Sequence, residues 1–327
     1  MSAPETSVTG PWPRRFALAT LWASVPLILF GGTVTTLRQG MAEDGWLQPD
    51  GHLLWLYPLE LRLRSAGVFV EHHHREIGSL VGLLAIGLVL STWLSDRRRG
   101  ARGLALASLG AICAQGAIGG FRVLENSPDL AFLHGALAHA VFALVGANVF
   151  VAAADWQRAR PLSAPLGEPG GASGPSRATL VMTLVIYLQI ALGAWLRHTG
   201  AALALGLHFF LAAAVLIEVL RAARQLTETG QERLVRSAHR LRQLVGLQVA
   251  LGFAAALGVY GFSGGFAGRV SGFELVFATL HVLFGALLLW QAVGAAMWAR
   301  RLAARVPAAE LAAARLRPEL ANLEAGR

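Results

Sequence analysis

The stretch "VFVEHHHREIGSLVGLL", Val68 to Leu84, decides how the rest of the chain is read. Its second half opens an apolar run that continues to residue 94, long enough to cross a bilayer as a helix, which takes ~20 mostly apolar residues. Its first half sets Glu71, three histidines, Arg75 and Glu76 at the mouth of that helix. Seven further stretches share its length and character, near residues 16–37, 103–121, 131–154, 179–197, 201–220, 243–262 and 272–299. The chain is 55% hydrophobic and 14% charged, which is poor for a water-soluble domain and natural for a polytopic membrane protein. Leu-, Ala- and Gly-rich spans of this length are helices rather than barrel strands, because in lipid a helix satisfies its backbone groups within one segment. The expected fold is all-α and integral to the membrane, with eight spans.

Charge orients those spans. All 28 basic residues are arginine, and the net charge is +9. Twenty-one of them fall in the N-terminus, the alternate loops and the tail, against seven on the other side: Arg38, Arg62, Arg64, Arg75, Arg122, Arg197 and Arg269. The positive-inside rule then puts both termini in the cytoplasm. The basic balance is thus a topology signal and gives no reason to expect a nucleic-acid partner. Cys113 is the lone cysteine, so no disulfide forms within the chain. The first ten residues include Glu5 and lack an Arg-rich amphipathic pattern, so no cleaved targeting peptide is expected, and a bacterial inner membrane fits.

Residues 159–177, "ARPLSAPLGEPGGASGPSR", read as a flexible linker that divides the spans four and four. This gives an N-terminal half over 1–158, a C-terminal half over 178–300 and a cytoplasmic tail over 301–327. The tail reads as an amphipathic helix with a disordered end. The odd-numbered spans repeat a motif: "QGAIG" at Gln115–Gly119, "QIALG" at Gln189–Gly193 and "QVALG" at Gln248–Gly252, with only "LILFGG" in the first span. A small residue one turn after an amide suits close helix packing, and three copies in matching spans point to two pseudo-repeated four-helix bundles.

Each even-numbered span carries a histidine near its start: His74, His134, His208 and His281. All four enter from the outer side, so all four imidazoles lie at similar depth. One such histidine is as well explained by packing; four, one per even span, point to metal ligation. No Cys, Met or carboxylate set accompanies them to build a zinc cage. Facing helices that each give one imidazole can grip a haem on its axis, and small residues (Gly78, Ser79, Gly82; Gly135, Ala136, Ala138) leave room for a flat macrocycle. Two such sites, one per half, would lie abreast near the outer face. That is poor geometry for moving electrons across the membrane and better for chemistry at its surface.

Glu71 lies three residues before His74 and shares its helix face, beside whatever His74 binds. A carboxyl taken out of water there suits proton handling; a helix-start or interfacial glutamate is the plainer alternative. Arg75 either anchors a carboxylate such as a haem propionate or reaches the headgroups. His72 and His73 read as outer-surface residues, His139 as packing around the site, and Arg197 and His198 as solvated loop residues within reach of propionates.

These residues resemble the haem A synthase family. "EHHHRE" fits its E-x-x-H-R signature, and "VTTLRQGMAEDGW" is similar to the exit of its first span. "QGAIGGFRV", "LHGALA" and "LQIALGAWLRHTG" resemble its third, fourth and fifth spans, over a likeness that covers residues 16–299. The resemblance implies a duplicated four-helix bundle that oxidises a ring methyl of haem O to a formyl group, through successive hydroxylations and loss of water, to supply cytochrome oxidase. It further implies that His74 and His134 hold the substrate haem, that His208 and His281 ligate a haem b cofactor, and that Glu71 is the catalytic carboxylate. Expected partners are haem O, the farnesyltransferase that makes it, membrane lipids and an electron donor the sequence does not name; homo-oligomers are compatible with it. Two features depart from the family pattern. Leu47 follows Trp46 where a proline is usual, and the outer-loop cysteine pair of many members is missing, which excludes thiol-based electron delivery. The rival classes are a di-haem electron-transfer or haem-carrier protein without ring chemistry, and a transporter using the histidines as a proton relay.

Overall fold

The computed structural model describes residues 10–159 and 174–303. Among them are eight helices long and apolar enough to cross a membrane, and no strand. They are α1 Trp12–Leu37, α2 Ala66–Ser95, α3 Arg99–Leu124, α4 Pro128–Val151, α5 Pro175–Thr199, α6 Ala202–Glu228, α7 Glu232–Ala256 and α8 Gly272–Leu302. The chain is therefore a multi-pass membrane protein. Residues 160–173 of the expected linker and the tail beyond Ala303 lie outside the described residues. The expected linker overlaps α5 by three residues, Pro175, Ser176 and Arg177, because Pro175 opens that helix at N1, where its fixed φ suits a helix and its missing N–H costs nothing.

Local chemistry sets the helix ends. Ser65, Ser127 and Ser271 cap α2, α4 and α8, each hydroxyl accepting from the N–H three residues on, at 3.2, 3.3 and 3.1 Å. Gly200, at φ 63°, ends α5 in the left-handed region that a residue without Cβ adopts freely. The α7 helix runs on into a π-helical turn, Leu257–Phe262, before the loop to α8.

Neighbouring helices close into two rings. In the first, α1 packs on α2, α2 on α3, α3 on α4 and α4 back on α1; in the second, α5 to α8 do the same. The rings meet through α1 and α4 on α8, and α4 on α5. At that seam the glycines receive aromatics in exchange: Trp290 of α8 covers Gly146 of α4, and Phe150 of α4 covers Gly294 of α8. The two rings stack with centroids 5.6 Å apart. Side chains such as Leu83, Leu90, Phe210 and Ile217 stay exposed, as lipid-facing residues of a membrane bundle should. A buried polar contact, Asn148 Nδ2 to Ser108 Oγ at 2.8 Å, ties α4 to α3 where no water competes.

Candidate functional site

The four predicted histidines come together in two pairs. His74 of α2 faces His134 of α4 with ring centroids 6.4 Å apart and planes at 79°. His208 of α6 faces His281 of α8 at 6.3 Å and 78°. Each pair sits within one helix ring.

Every imidazole rests on a glycine of the preceding span. A Cβ built on Gly31 would lie 2.8 Å from His74 Cε1, and one on Gly119 2.9 Å from His134 Cε1. The same holds for Gly193 under His208, at 2.9 Å, and Gly252 under His281, at 3.0 Å. Only glycine permits that approach. The glutamine one turn before three of these glycines clamps the helix that carries the histidine. Gln115, Gln189 and Gln248 donate Nε2 to the carbonyls of His134, His208 and His281 at 2.6, 2.9 and 3.1 Å. In α1 the matching residue is Leu27, which offers its backbone: His74 Nδ1 lies 3.0 Å from Leu27 O. His134 Nδ1 lies 3.1 Å from Gln115 O. A carbonyl only accepts, so each of these Nδ1 atoms carries the proton and each Nε2 keeps its lone pair, the state a metal ligand needs. In the second pair, Nδ1 of His208 and of His281 is buried with no hydrogen-bond partner.

The pairs fit a metal gripped on one axis. Two metal–nitrogen bonds of ~2 Å and two ring radii of ~1.1 Å place imidazole centroids about 6.3 Å apart. Both observed separations agree. No cluster of three or more His, Cys, Asp or Glu side chains suited to a metal occurs among the described residues. A two-imidazole grip, with the remaining positions left to a macrocycle, suits haem iron and not a tetrahedral zinc cage.

Glu71 is 2% exposed and lies five residues inside α2, so it is not the helix cap. Its Oε2 accepts from Ala42 N at 2.7 Å and its Oε1 from Arg75 Nη2 at 2.8 Å. Arg75 also meets Glu43, Nε to Oε2 at 3.4 Å, and donates Nη1 to Gly45 O at 2.8 Å and Trp46 O at 3.3 Å. The guanidinium that the sequence offered to a propionate or to headgroups is thus occupied by two carboxylates and the loop after α1. That loop is seated on α3, where Trp46 covers Gly120 and tilts against Phe121.

Other expectations need correction. His72 is not on the surface: it is fully buried, with Nδ1 2.8 Å from Glu43 Oε1 and its ring stacked on Tyr57 at 4.5 Å. Glu76 Oε1 approaches its Nε2 at 3.4 Å, an electrostatic contact without hydrogen-bond alignment. Burial raises the Glu43 carboxyl above its usual range, against the pull of Arg75 and His72. Burial and the 2.5 Å bond to Asp50 push the Tyr57 phenol up to about 12. Arg197 and His198 are not solvated loop residues either; they form the last turn of α5. Arg197 crosses the seam to bond Gly32 O at 2.7 Å and Thr36 Oγ1 of α1. His139 is buried, with Nε2 3.2 Å from Val282 O, next to His281. His73 lies against Phe69 and Phe30. Nothing in the sequence announced Glu43 and Tyr57, whose partners on α2 are remote along the chain.

Eight membrane helices that bring half-buried imidazoles together in two matched pairs define a polytopic membrane protein with two candidate metal-gripping sites. The chain belongs to the cytochrome oxidase assembly protein family, the haem A synthase family: its profile matches residues 3–145 and, in an overlapping second match, 49–313. A role in cytochrome oxidase assembly and haem A synthesis, with the oxidoreductase character this implies, follows from that membership. Comparison with individual curated proteins gives no match.

Proposed function

We propose that the chain is a haem A synthase: it binds haem O between His74 and His134 and oxidises one ring methyl to a formyl group. The observation that carries this reading is the difference between two sites of matching geometry. Three residues before the four histidines stand Glu71, Ala131, Leu205 and Ala278. At that three-residue spacing the first pair alone has a carboxylate, and it is buried and held from two sides; the buried acid on the helix of the second pair, Glu274, stands two turns from His281 instead of one. Chemistry on a ring substituent calls for a fixed proton donor and acceptor, so the first site suits substrate and the second a resident cofactor.

His208 and His281 would hold haem b, whose iron supplies one-electron redox chemistry when bound. The glycine seats fix the two imidazoles of each pair, which would hold the macrocycle between them. At the first site Ala42 N and Arg75 hold the Glu71 carboxylate fixed, three residues before His74 on the same helix. Two successive hydroxylations of the methyl, each a two-electron oxidation that draws on an oxidant from outside this chain, would give a geminal diol; its loss of one water, which is redox-neutral, leaves the formyl group. In this reading Glu71 would take the proton from one diol oxygen and return it to the departing hydroxyl. The arginine count supports cytoplasmic termini, a bacterial inner membrane and sites toward its outer side.

The test is expression in a host that makes haem O, followed by extraction and chromatography of the haems. A formyl-bearing haem should appear with the native chain and be lost, by at least ~100-fold in rate for a general acid–base residue, with Glu71→Ala, while haem stays bound. Undiminished haem A from Glu71→Ala would remove the proposed role. Bound haem with no product from the native chain would favour the electron-transfer or carrier alternative.

A further inference from the structure

The ionic groups around the first histidine pair leave one cation without a counter-charge. Arg122 stands three residues beyond Gly119 on α3, so it shares the face that seats His134, about 4.5 Å farther along the axis. Its guanidinium tucks under the loop after α1: Nη1 would lie 2.6 Å from a Cβ on Gly40. Among the described residues its one hydrogen bond reaches Gly40 O at 3.4 Å, the weak limit for such a bond, and it joins no ion pair. The titratable groups within reach of its charge are Glu71, Arg75, His74, His134 and His198. Glu71, the one acid of that set, is already bonded to Arg75 and Ala42 N. Of the other arginines at this end, Arg62 pairs with Glu76, Arg64 with Asp50, and Arg75 with Glu43 and Glu71, while Arg38 donates to Phe266 O and Arg197 to Gly32 O and Thr36 Oγ1 across the seam. A cation drawn out of water without an acid is costly, and its natural complement is an anion that the protein itself does not supply.

We propose that Arg122 is the carboxylate anchor of the first site, taking an acidic side arm of the porphyrin gripped by His74 and His134. The assignment rests on the reading of that pair as a porphyrin site and moves to Arg122 the role that sequence offered to Arg75. The fit is chemical. The axial imidazole marks the centre of a macrocycle and the carboxylate arms leave its edge, so their partner belongs on the same helix face about one turn away. A planar guanidinium with free N–H groups pairs with a carboxylate by two parallel bonds, which an ammonium does not reproduce.

The test uses the full chain with the second pair disabled by His208→Ala and His281→Ala, titrated in detergent with haemin and with haemin dimethyl ester, whose arms are uncharged. In the Arg122-containing chain, haemin should bind roughly 10- to 100-fold more tightly than its ester, the range for a charge-assisted pair out of water. Arg122→Gln should remove that preference while ester binding stays level, and Arg122→Lys should restore only part of it. Far-UV circular dichroism and gel-filtration profiles show that each variant is folded, and level ester binding shows that the imidazole grip survives. A preference for haemin that persists in Arg122→Gln would overturn the anchor and leave the porphyrin site standing; that is the outcome if Arg122 serves a lipid phosphate. Failure of the Arg122-containing chain to bind either porphyrin would overturn the porphyrin reading and the anchor with it.

Discussion

Substituting Gly119 by alanine tests the histidine seat directly. The added Cβ would fall 2.9 Å from His134 Cε1, whereas carbon atoms in ordinary contact stay about 3.5 Å apart or more. The imidazole must therefore retreat or rotate by roughly 0.6 Å, three times the ~0.2 Å tolerance of a metal–ligand bond. In the same helix, Gly116 has nothing within 4 Å of its built Cβ, so Gly116→Ala is the matched control. Helix propensity favours both changes by about 1 kcal/mol, while overpacking costs the Gly119 variant about 1–3 kcal/mol. The net stability change at Gly119 is thus near zero to ~2 kcal/mol, too small to decide the matter alone. The decisive assay is a haemin titration followed at the Soret band, in a chain lacking the second pair, with the low-spin signature of two axial imidazoles as readout. Gly116→Ala should leave both the titration and the signature unchanged, and Gly119→Ala should abolish the signature. A Gly119→Ala chain that binds haemin with intact two-imidazole character would refute the seat, and with it the claim that glycine at these four positions sets the pair geometry.

Further expectations concern the loop that covers the first site. His72→Ala leaves the buried Glu43 carboxylate with Arg75 as its remaining charged partner at 3.4 Å; breaking such a buried pair should cost on the order of 3 kcal/mol. Denaturation in detergent reads this out, and a loss below ~1 kcal/mol would contradict the contact at His72. Glu43 also confers a pH dependence. Its folded value is raised, so its contribution to stability is fully present below the ordinary carboxylate range and is lost as pH rises through the folded value. Thermal midpoints of the native chain should fall across that interval relative to Glu43→Gln, which has no proton to lose. Parallel curves would show that burial does not govern this carboxyl.

The architecture was legible because hydropathy needs no partners: a helix in lipid announces itself by length and composition, and the eight spans appear where the apolar runs lie. The two imidazole pairs were legible for a similar reason. One histidine per even span at a common depth, and one Gln–Gly step in most odd spans, are local signals that adjacent packing converts into contacts. What failed was environment. His72 sits in a run of three histidines and looks like a wet helix entrance, yet a loop 29 residues earlier folds over it and supplies Glu43. The charge of Arg197 and His198 suggested a solvated loop, although Gly200 after them marks a helix stop and so keeps both inside α5. Arg75 looks free for a ligand in the sequence because Glu43 and the carbonyls of Gly45 and Trp46 become its neighbours only once the loop after α1 is in place.

The two kinds of support at the first site should therefore fail differently. Each imidazole is held by backbone: the Cα of a glycine beneath the ring and, for His74 and His134, a main-chain carbonyl at Nδ1. Side-chain exchange elsewhere cannot remove those groups, so the grip should survive damage to the loop. The Glu71 carboxylate, by contrast, is aimed by one loop N–H and one guanidinium, and that guanidinium is shared with Glu43. Loosening the Glu43–His72 contact would free the loop, withdraw Ala42 N and let Arg75 turn toward Glu43, leaving the acid misaimed beneath an intact imidazole pair. Separate supports of this kind allow binding and turnover to be uncoupled. A histidine seat that only stores a macrocycle has no use for a buried acid one turn from its imidazole or for the loop that holds it, and the proposed assignment of chemistry to the first pair rests on that construction.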